Sequence, residues 1–167
     1  MLKYIWILLI TVSLDQLSKF WVLSHVNYHN TLELIQTKFF GLNFFLTYNT
    51  GIAFGLFHRS TGWQNNLFSI LTMIAIMVMI YLFYKKNTNN LIKICILLIM
   101  SGAIGNFIDR IVYKHVIDFI DLYITINKQH FHWYTFNLAD SSICCGTIIL
   151  IYQELRGDLK CVIQQIL

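Results

Sequence analysis

The sequence predicts an integral membrane protein that is mainly α-helical, with four transmembrane helices, a small extracytoplasmic β-sheet forming a cradle, and a periplasmic-side loop. Three observations predict this class: 57% of the 167 residues are apolar, 12% are charged, and no proline is present. Such a composition fits neither a water-soluble domain nor a disordered chain. Because no Gly/Ser-rich or Pro-rich linker divides it, we expect one domain over residues 1–167.

The first predicted helix covers residues 4–23, with a short polar break around Asp15 and Lys19. A cleavable signal peptide ends in small residues, whereas this segment continues into polar ones, so we expect a retained spanning helix. Asp15 and Lys19 are four residues apart and share a helical face, where they can neutralise each other inside the membrane. A structural ion pair and a role in a functional site both remain open.

Three later apolar runs approach the length of about 20 residues that a helix needs to cross hydrocarbon. They cover residues 67–84, 91–104 and 138–155. Lys85 and Lys86 occupy the only short connection. Because cytoplasmic loops carry an excess of lysine and arginine, both termini are expected in the cytoplasm, and the long connections 25–66 and 111–137 are expected to face outward.

In this orientation nearly all acidic residues gather at one membrane face. They are Asp15, Asp109, Asp118, Asp121 and Asp140, all near the outer ends of predicted helices. Charged groups at such positions are costly, tend to be paired, and mark functional sites. The site is therefore expected near the outer face.

The first long connection alternates between two sets of side chains from Leu42 to Asn49, which predicts a strand. A glycine-rich segment follows at residues 51–55. Gly51 allows either a plain turn or a close approach of backbone to a ligand. The amide of Asn49 is placed where it could hold a peptide carbonyl.

The third helix carries a polar face at its outer end. Asn106, Asp109 and Arg110 fall at spacings of three and four residues. A structural pair between Asp109 and Arg110 and a functional cluster both fit this pattern.

Asp118 and Asp140 occupy different predicted environments. Asn137 can cap the fourth helix, which puts Asp140 at its third position, where unpaired N–H groups and the helix dipole favour a carboxylate. Asp118 lies among apolar residues without a local partner, so burial should raise its pKa. Two such carboxylates make an acid/base pair that can share one proton. Spacing alone leaves Asp121 as a rival to Asp118.

Other chemistries find less support in the sequence. His130 and His132 flank Phe131, but a third metal ligand at a recognisable spacing is missing, so we expect no metal and no cofactor. No phosphate loop, Ser-His-Asp order or basic nucleic-acid patch stands out. An ion- or proton-coupled transporter and a non-catalytic assembly subunit remain as alternative classes.

Five segments, taken together and in order, resemble the lipoprotein signal peptidases, or signal peptidase II. They are Asp-Gln-Leu-Ser-Lys at 15–19, Asn-Thr-Gly-Ile-Ala-Phe-Gly at 49–55, Gly-Ala-Ile-Gly-Asn-Phe-Ile-Asp-Arg at 102–110, Val-Ile-Asp-Phe-Ile-Asp at 116–121 and Phe-Asn-Leu-Ala-Asp-Ser at 136–141. The resemblance covers nearly the whole chain. Three residues differ from those common in the family: Ser18 replaces a threonine, Ile52 an alanine and Ser101 a glycine. These differences affect the expected shape of the substrate pocket.

The resemblance implies an aspartic endopeptidase with Asp118 and Asp140 as catalytic dyad, and it demotes Asp121 to a neighbour. The implied substrate-binding residues are Asn49, Gly51, Asn106, Arg110 and Asn137, and the implied supporting residues are Asp15, Lys19 and Asp109. The implied reaction removes the signal peptide from a bacterial prolipoprotein, before a cysteine that carries diacylglycerol. The implied setting is the bacterial inner membrane, with lipid-modified prolipoprotein and membrane lipid as partners, no nucleic acid, and a monomeric enzyme.

Overall fold

A computed structural model describes residues 2–51, 63–86 and 88–156. Of the glycine-rich segment only Gly51 is described, and residues 52–55 lie outside the described part of the chain. The elements in order are α1 (Leu2–His25), β1 (Thr31–Gln36), β2 (Phe40–Asn49), α2 (Trp63–Tyr84), α3 (Asn90–Tyr113), β3 (Val116–Ile126), β4 (Gln129–His132) and α4 (Leu138–Leu155).

The four predicted spanning segments are helices long and apolar enough to cross a membrane. The bounds of α4 are those predicted, whereas α2 begins four residues before the predicted residue 67. Hydropathy ends α3 too early, at residue 104, although the helix continues to Tyr113. The polar residues beyond 104 stay helical because neighbouring elements, rather than lipid, surround them, and Asn106 and Asp109 are both buried.

Helix α3 lies at the centre of the bundle and packs against α1, α2 and α4. Helix α2 has the reverse of a soluble amphipathic pattern: its buried residues are Gln64, Asn65 and Ser69. Apolar residues such as Ile70 and Met77 are more than half exposed. A helix with polar groups inside and apolar groups outside is matched to lipid, so the outer surface of α2 faces hydrocarbon.

The four strands form one antiparallel sheet in the order β1-β2-β3-β4. The strand predicted in the first connection is confirmed as β2. The second connection, residues 111–137, is predicted only as an outward-facing loop, and this prediction is incomplete because the connection contains β3 and β4. Its strand pattern is hard to see locally because β3 is stabilised by pairing with β2 from the other connection.

A bulge interrupts the register between β2 and β3. Phe44 pairs with Ile120 and Thr47 pairs with Asp118, so two residues of β2 oppose Phe119 alone. An irregularity of this kind bends a strand and changes the direction of its side chains.

An apolar cluster attaches the sheet to the end of α1. Its members are Val22, Val26, Leu46, Ile117 and Phe119, with Ile120 packed against it. Phe119 belongs to this cluster and Ile120 packs against it, so two consecutive residues of β3 contact the same apolar cluster. The odd spacing of Asp118 and Asp121 would place them on opposite faces of a regular strand.

Candidate active site

Asp118 enters the site from the start of β3, next to the end of α3. Its side chain is 2% exposed. Asn49 Nδ2 donates to Asp118 Oδ2 at 2.9 Å, and Asn137 Nδ2 donates to Asp118 Oδ1 at 2.7 Å. The sequence showed no local partner for Asp118, and both partners come from distant parts of the chain.

Asp140 lies at the third position of α4, as the capping pattern predicts. Asn137 is the N-cap, its side chain accepts from Asp140 N, and Asp140 Oδ2 accepts from Asn137 N at 3.2 Å. The other oxygen, Asp140 Oδ1, accepts from Asn106 Nδ2 at 2.8 Å. Each oxygen of Asp140 therefore has an N–H donor before any ligand arrives.

Asn137 connects the two carboxylates, which are called the aspartate pair below. The asparagine is fully buried and holds Asp140 through its backbone N–H and Asp118 through its amide. Burial raises the pKa of Asp118, and the nearby Asp140 raises it further, to about 7. This confirms the direction expected from the apolar sequence around Asp118.

A buried lysine lies beneath the aspartate pair. Lys19 Nζ is 2.8 Å from Asp15 Oδ2 and 2.8 Å from Asp109 Oδ2. All three side chains are at most 2% exposed. The predicted Asp15–Lys19 ion pair is present. The ion-pair partner of Asp109 is Lys19 on α1 and not its neighbour Arg110.

This lysine triad (Asp15, Lys19 and Asp109) holds the backbone that carries the aspartate pair. Asp15 Oδ1 accepts from the N–H of Ala139 at 2.9 Å, next to Asp140. Asp109 Oδ2 accepts from the N–H of Ile117 at 3.1 Å, next to Asp118. Carboxylates on α1 and α3 thus fix the first turn of α4 and the start of β3.

The triad also fixes the orientation of Asn106. Lys19 Nζ donates to Asn106 Oδ1 at 3.2 Å, and Asn137 Nδ2 donates to the same oxygen at 3.0 Å. Since an ammonium group can only donate, Asn106 must present its oxygen to Lys19 and its NH₂ group to Asp140. The charge of Lys19 thereby determines which atoms face the aspartate pair.

The family model described as signal peptidase (SPase) II matches residues 7–156 of this chain. The chain belongs to the signal peptidase II family. It is therefore a peptidase and a multi-pass bacterial membrane protein.

Named relatives agree with the family assignment. The chain is 37% identical over 156 residues to the lipoprotein signal peptidase of Polynucleobacter necessarius, covering 93% of this chain and 91% of the relative. It is 41% identical over 156 residues to that of Janthinobacterium sp., covering 93% and 90%. It is 43% identical over 148 residues to that of Burkholderia thailandensis, covering 89% and 84%.

Two solved structures, each described as a bacterial membrane enzyme, have the same fold as this peptidase. One matches with a TM-score of 0.77 and 32% identity over 93% of this chain and 89% of the other. The second matches with a TM-score of 0.76 and 32% identity over 92% of each chain.

Arg110 and Gly51 border the aspartate pair in this peptidase. The guanidinium of Arg110 lies 5.8 Å from the ring centroid of Phe68 and donates to Asn106 O at 3.4 Å. Gly51 has φ of 98°, a left-handed conformation that other residues rarely adopt, and its N–H donates to Asn49 Oδ1 at 2.8 Å. The turn at Gly51 thereby fixes the amide of Asn49, whose NH₂ group faces Asp118 rather than an open position.

Asp121 lies apart from this network although it shares the strand. Asn43 Nδ2 donates to Asp121 Oδ2 at 3.0 Å, and His132 Nδ1 lies 2.9 Å from Asp121 Oδ1. Across the described ranges, no group of three His, Cys, Asp or Glu side chains is arranged to hold a metal ion.

The described structure has a groove that begins at Asp140 and a larger cleft over the sheet. A groove of about 370 Å³ runs along α4 from Asp140 past Ile143, Cys144, Thr147 and Ile148, and we call it the α4 groove. A larger cleft of about 710 Å³, the sheet cleft, lies over the sheet and includes Asp121 and Thr135. The α4 groove is mostly apolar along a membrane-spanning helix, whereas the sheet cleft is lined by polar and aromatic residues.

Sequence analysis missed Gln16 as part of the site. Gln16 Nε2 donates to Asp15 Oδ2 at 3.1 Å, to Asp109 Oδ1 at 3.1 Å and to Gly105 O at 3.2 Å. The sequence feature that could have indicated Gln16 is a polar amide beside Asp15 within an apolar run. An amide donor in a spanning helix needs buried acceptors, and these are expected at a polar site.

Proposed function

We propose that the chain cuts the signal peptide from bacterial prolipoproteins on the amino side of a cysteine that carries diacylglycerol. The observation that carries this proposal is a hydrogen-bonded pair of aspartates, Asp118 buried and Asp140 partly exposed, with an apolar groove on a spanning helix at Asp140 and a polar cleft over the sheet that carries Asp118. A prolipoprotein has this amphiphilic character, with an apolar signal segment on one side of the scissile bond and a polar mature segment on the other.

Asp118 holds the proton and Asp140 acts as the carboxylate in the proposed resting enzyme. Asp140 takes a proton from water as the water oxygen attacks the scissile carbonyl, and Asp118 gives its proton to the carbonyl oxygen. Collapse of the tetrahedral intermediate breaks the C–N bond. The proton on Asp140 passes to the leaving amine, and Asp118 recovers its proton from the collapsing hydroxyl group.

Five further residues line the proposed substrate site. They are Asn49, Gly51, Asn106, Arg110 and Asn137. Asn49, Asn106 and Asn137 each place an NH₂ group against the aspartate pair. Because these donors are positioned before substrate arrives, the carboxyl groups keep their orientation through the reaction without reorganisation. Arg110 supplies a positive charge beside the developing oxyanion.

Cleavage of a purified, lipidated prolipoprotein tests the dyad. Asp118→Asn and Asp140→Asn should each reduce kcat by about 10²- to 10⁴-fold, the usual contribution of a positioned proton-transfer group. Asp121→Asn removes a carboxylate from the same strand and should retain far more turnover than either. If Asp118→Asn or Asp140→Asn leaves turnover largely intact, the dyad is wrongly assigned.

The proposed orientation puts both termini in the cytoplasm and the aspartate pair near the outer face, in a monomeric enzyme. The exposed turn at Asn127 and Lys128, between β3 and β4, allows a test because both residues already adopt positive φ in a hairpin connection. A reporter inserted after Asn127 should be accessible from outside, and one fused after Lys86 should be cytoplasmic. A cytoplasmic signal after Asn127 contradicts the orientation.

A further inference from the structure

The sheet cleft is the largest concave surface described above, and the proposed reaction does not use its acidic groups. It adjoins the aspartate pair through two threonines. Thr135 lines the cleft, and its Oγ1 is 2.8 Å from Thr47 Oγ1. Thr47 Oγ1 also donates to the backbone carbonyl of Asp118 at 3.4 Å. Two hydrogen bonds therefore link the lining of the cleft to the backbone of Asp118.

Asp121 gives the cleft a built acidic centre. It is 5% exposed, and its carboxylate is held by Asn43 and His132. Asn43, also 5% exposed, turns its NH₂ group to Asp121, and this leaves Asn43 Oδ1 without a hydrogen-bond partner in the described structure. A buried acceptor without a partner is costly, so Asn43 holds Asp121 while its own oxygen remains unpaired.

The cleft presents acceptors and aromatic rings to a ligand. Glu33, exposed on β1, supplies a second carboxylate to the cleft, in register with Asn43, which is in turn paired with Asp121. Phe45 and Trp133 add aromatic faces. Among the described residues no lysine or arginine lines the cleft. Carboxylates beside aromatic rings favour cationic and hydrogen-bond-donating groups.

We propose that the sheet cleft binds the residues that follow the lipidated cysteine in the prolipoprotein, and that Asp121 and Glu33 select basic or donor-rich side chains there. This proposal rests on the proposed function. The signal segment is apolar and suits the α4 groove, so the polar mature segment is the part that can occupy a cleft lined by strands.

The distance from Asp118 to Asp121 along β3 determines which substrate residues lie beside Asp121 and Glu33. Asp121 lies three positions beyond Asp118 on β3, or about 10 Å at about 3.3 Å per residue. An extended peptide covers the same distance in about three residues. The second to fourth residues of the mature segment, counting the cysteine as the first, are therefore those expected beside Asp121 and Glu33.

Matched substrates test this subsite. Two purified prolipoproteins that differ only at the second to fourth mature residues, one with lysines and one with aspartates, are compared by kcat/KM. The wild type should prefer the lysine substrate by roughly three- to fivefold for each charge that contacts the cleft. The preference should lie mainly in KM and should weaken as salt screens the charges.

Two variants and one control locate the effect. Asp121→Asn and Glu33→Gln should each reduce the lysine-to-aspartate ratio, whereas Glu154→Gln, an exposed change near the far end of α4, should leave the ratio as in wild type. Because Asp121 is buried and its variant can lose folding, Glu33→Gln gives an independent answer from an exposed position.

The results separate the subsite from the proposed function. A wild-type enzyme that cleaves both substrates with equal kcat/KM, or a ratio unchanged in Glu33→Gln and in folded Asp121→Asn, overturns the subsite and leaves the function standing. Failure of the wild type to cleave either lipidated substrate overturns the proposed function itself.

Discussion

Asp118 is poised to titrate near neutral pH because two effects oppose its ionisation. Burial under the sheet removes it from water, and Asp140 adds a second negative charge nearby. The N–H donors of Asn49 and Asn137 favour the ionised form and reverse only part of the shift. A carboxyl group with a pKa of about 7 holds a proton where free aspartic acid would not.

We expect kcat/KM to fall as the pH rises through about 7, approaching a tenfold loss for each pH unit above it, because Asp118 must carry a proton to act as general acid. A kcat/KM series between pH 6 and 9 with lipidated prolipoprotein measures this limb. The apparent value belongs to the coupled pair of carboxyls. Enzyme returned from pH 9 to pH 6.5 should regain full activity, and a profile flat to pH 9 contradicts the assignment.

The same titration affects stability with a defined sign. Between about pH 4 and pH 7 the folded protein keeps the proton of Asp118 while the unfolded chain has lost it. The contribution of Asp118 to the free energy of unfolding is therefore full below about pH 4 and is lost as the pH rises through about 7. Other carboxylates add their own dependence, so the comparison of wild type with Asp118→Asn isolates this contribution.

At the scale of the elements, the N-terminus of α4 serves structure and chemistry with the same residues. Asn137 caps the helix and also donates to Asp118, while Asp140 completes the capping box and carries one of the two carboxyl groups. Because the capping residues of α4 also hold the two carboxyl groups, the packing that positions the N-terminus of α4 also sets the geometry of the aspartate pair.

Two cap variants separate these roles. Asn89 caps α3 with its side chain, as Asn137 caps α4, but it lies in the short connection far along the chain from the site. Asn89→Ala should cost about 1 kcal/mol of stability, measured by thermal unfolding in detergent, and Asn137→Ala should cost more because Asp118 and Asn106 each also lose a buried donor. Only Asn137→Ala should lower kcat, by about 10²-fold, because Asp118 loses its orienting donor. Equal kcat in the two variants contradicts the role of Asn137.

The lysine triad connects four elements through one ammonium group. Lys19 on α1 binds Asp109 on α3, and the two carboxylates bind backbone N–H groups of α4 and β3. A buried charge that loses its partner is strongly destabilising. The close approach of α1 to α3 is possible because Gly105 has no side chain, since a Cβ there would collide with Asp15 Oδ2.

At the scale of the whole molecule, exposed apolar residues divide into those that face lipid and those that face water. Ile74 on α2 is 47% exposed and Ile35 on β1 is 46% exposed, so exposure alone does not distinguish them. Ile74 lies near the middle of a spanning helix, whereas Ile35 lies on the edge strand of the sheet. The effect of a polar substitution on stability therefore depends on whether lipid or water surrounds the position.

A lysine placed at each position tests this division. Ile74→Lys puts a charge near the bilayer centre at a cost of roughly 3 kcal/mol and should sharply reduce the amount of protein recovered in membranes. Ile35→Lys should remain near wild type in membrane yield and in thermal unfolding, as most surface changes do. Recovery of Ile74→Lys at the wild-type level would mean that this face of α2 does not contact lipid.

Local patterns predicted much of the architecture and part of the site. The spanning helices, the Asp15–Lys19 pair and the capping box at Asn137 and Asp140 all depend on residues within one or two helical turns, where period and spacing are fixed. The partner of Asp109 and the strands β3 and β4 depend on contacts between distant segments, so the sequence left the role of Asp109 open and predicted a loop in place of β3 and β4.

The sequence by itself determined that this chain lies in a membrane, that its acidic residues gather at one end of its helices, and, through five ordered motifs, which family it resembles. Hydropathy and helical spacing are local properties that survive without knowledge of the fold. Only the tertiary structure decided that Lys19 orients Asn106, that Asn137 joins Asp118 to Asp140, and that Asp121 lines the sheet cleft with Asn43 and His132 as its partners. Those relations follow from packing around one buried ammonium group, whose acceptors come from α1 and α3. The two carboxylates that pair with it also accept from backbone N–H groups of α4 and β3, which joins all four elements.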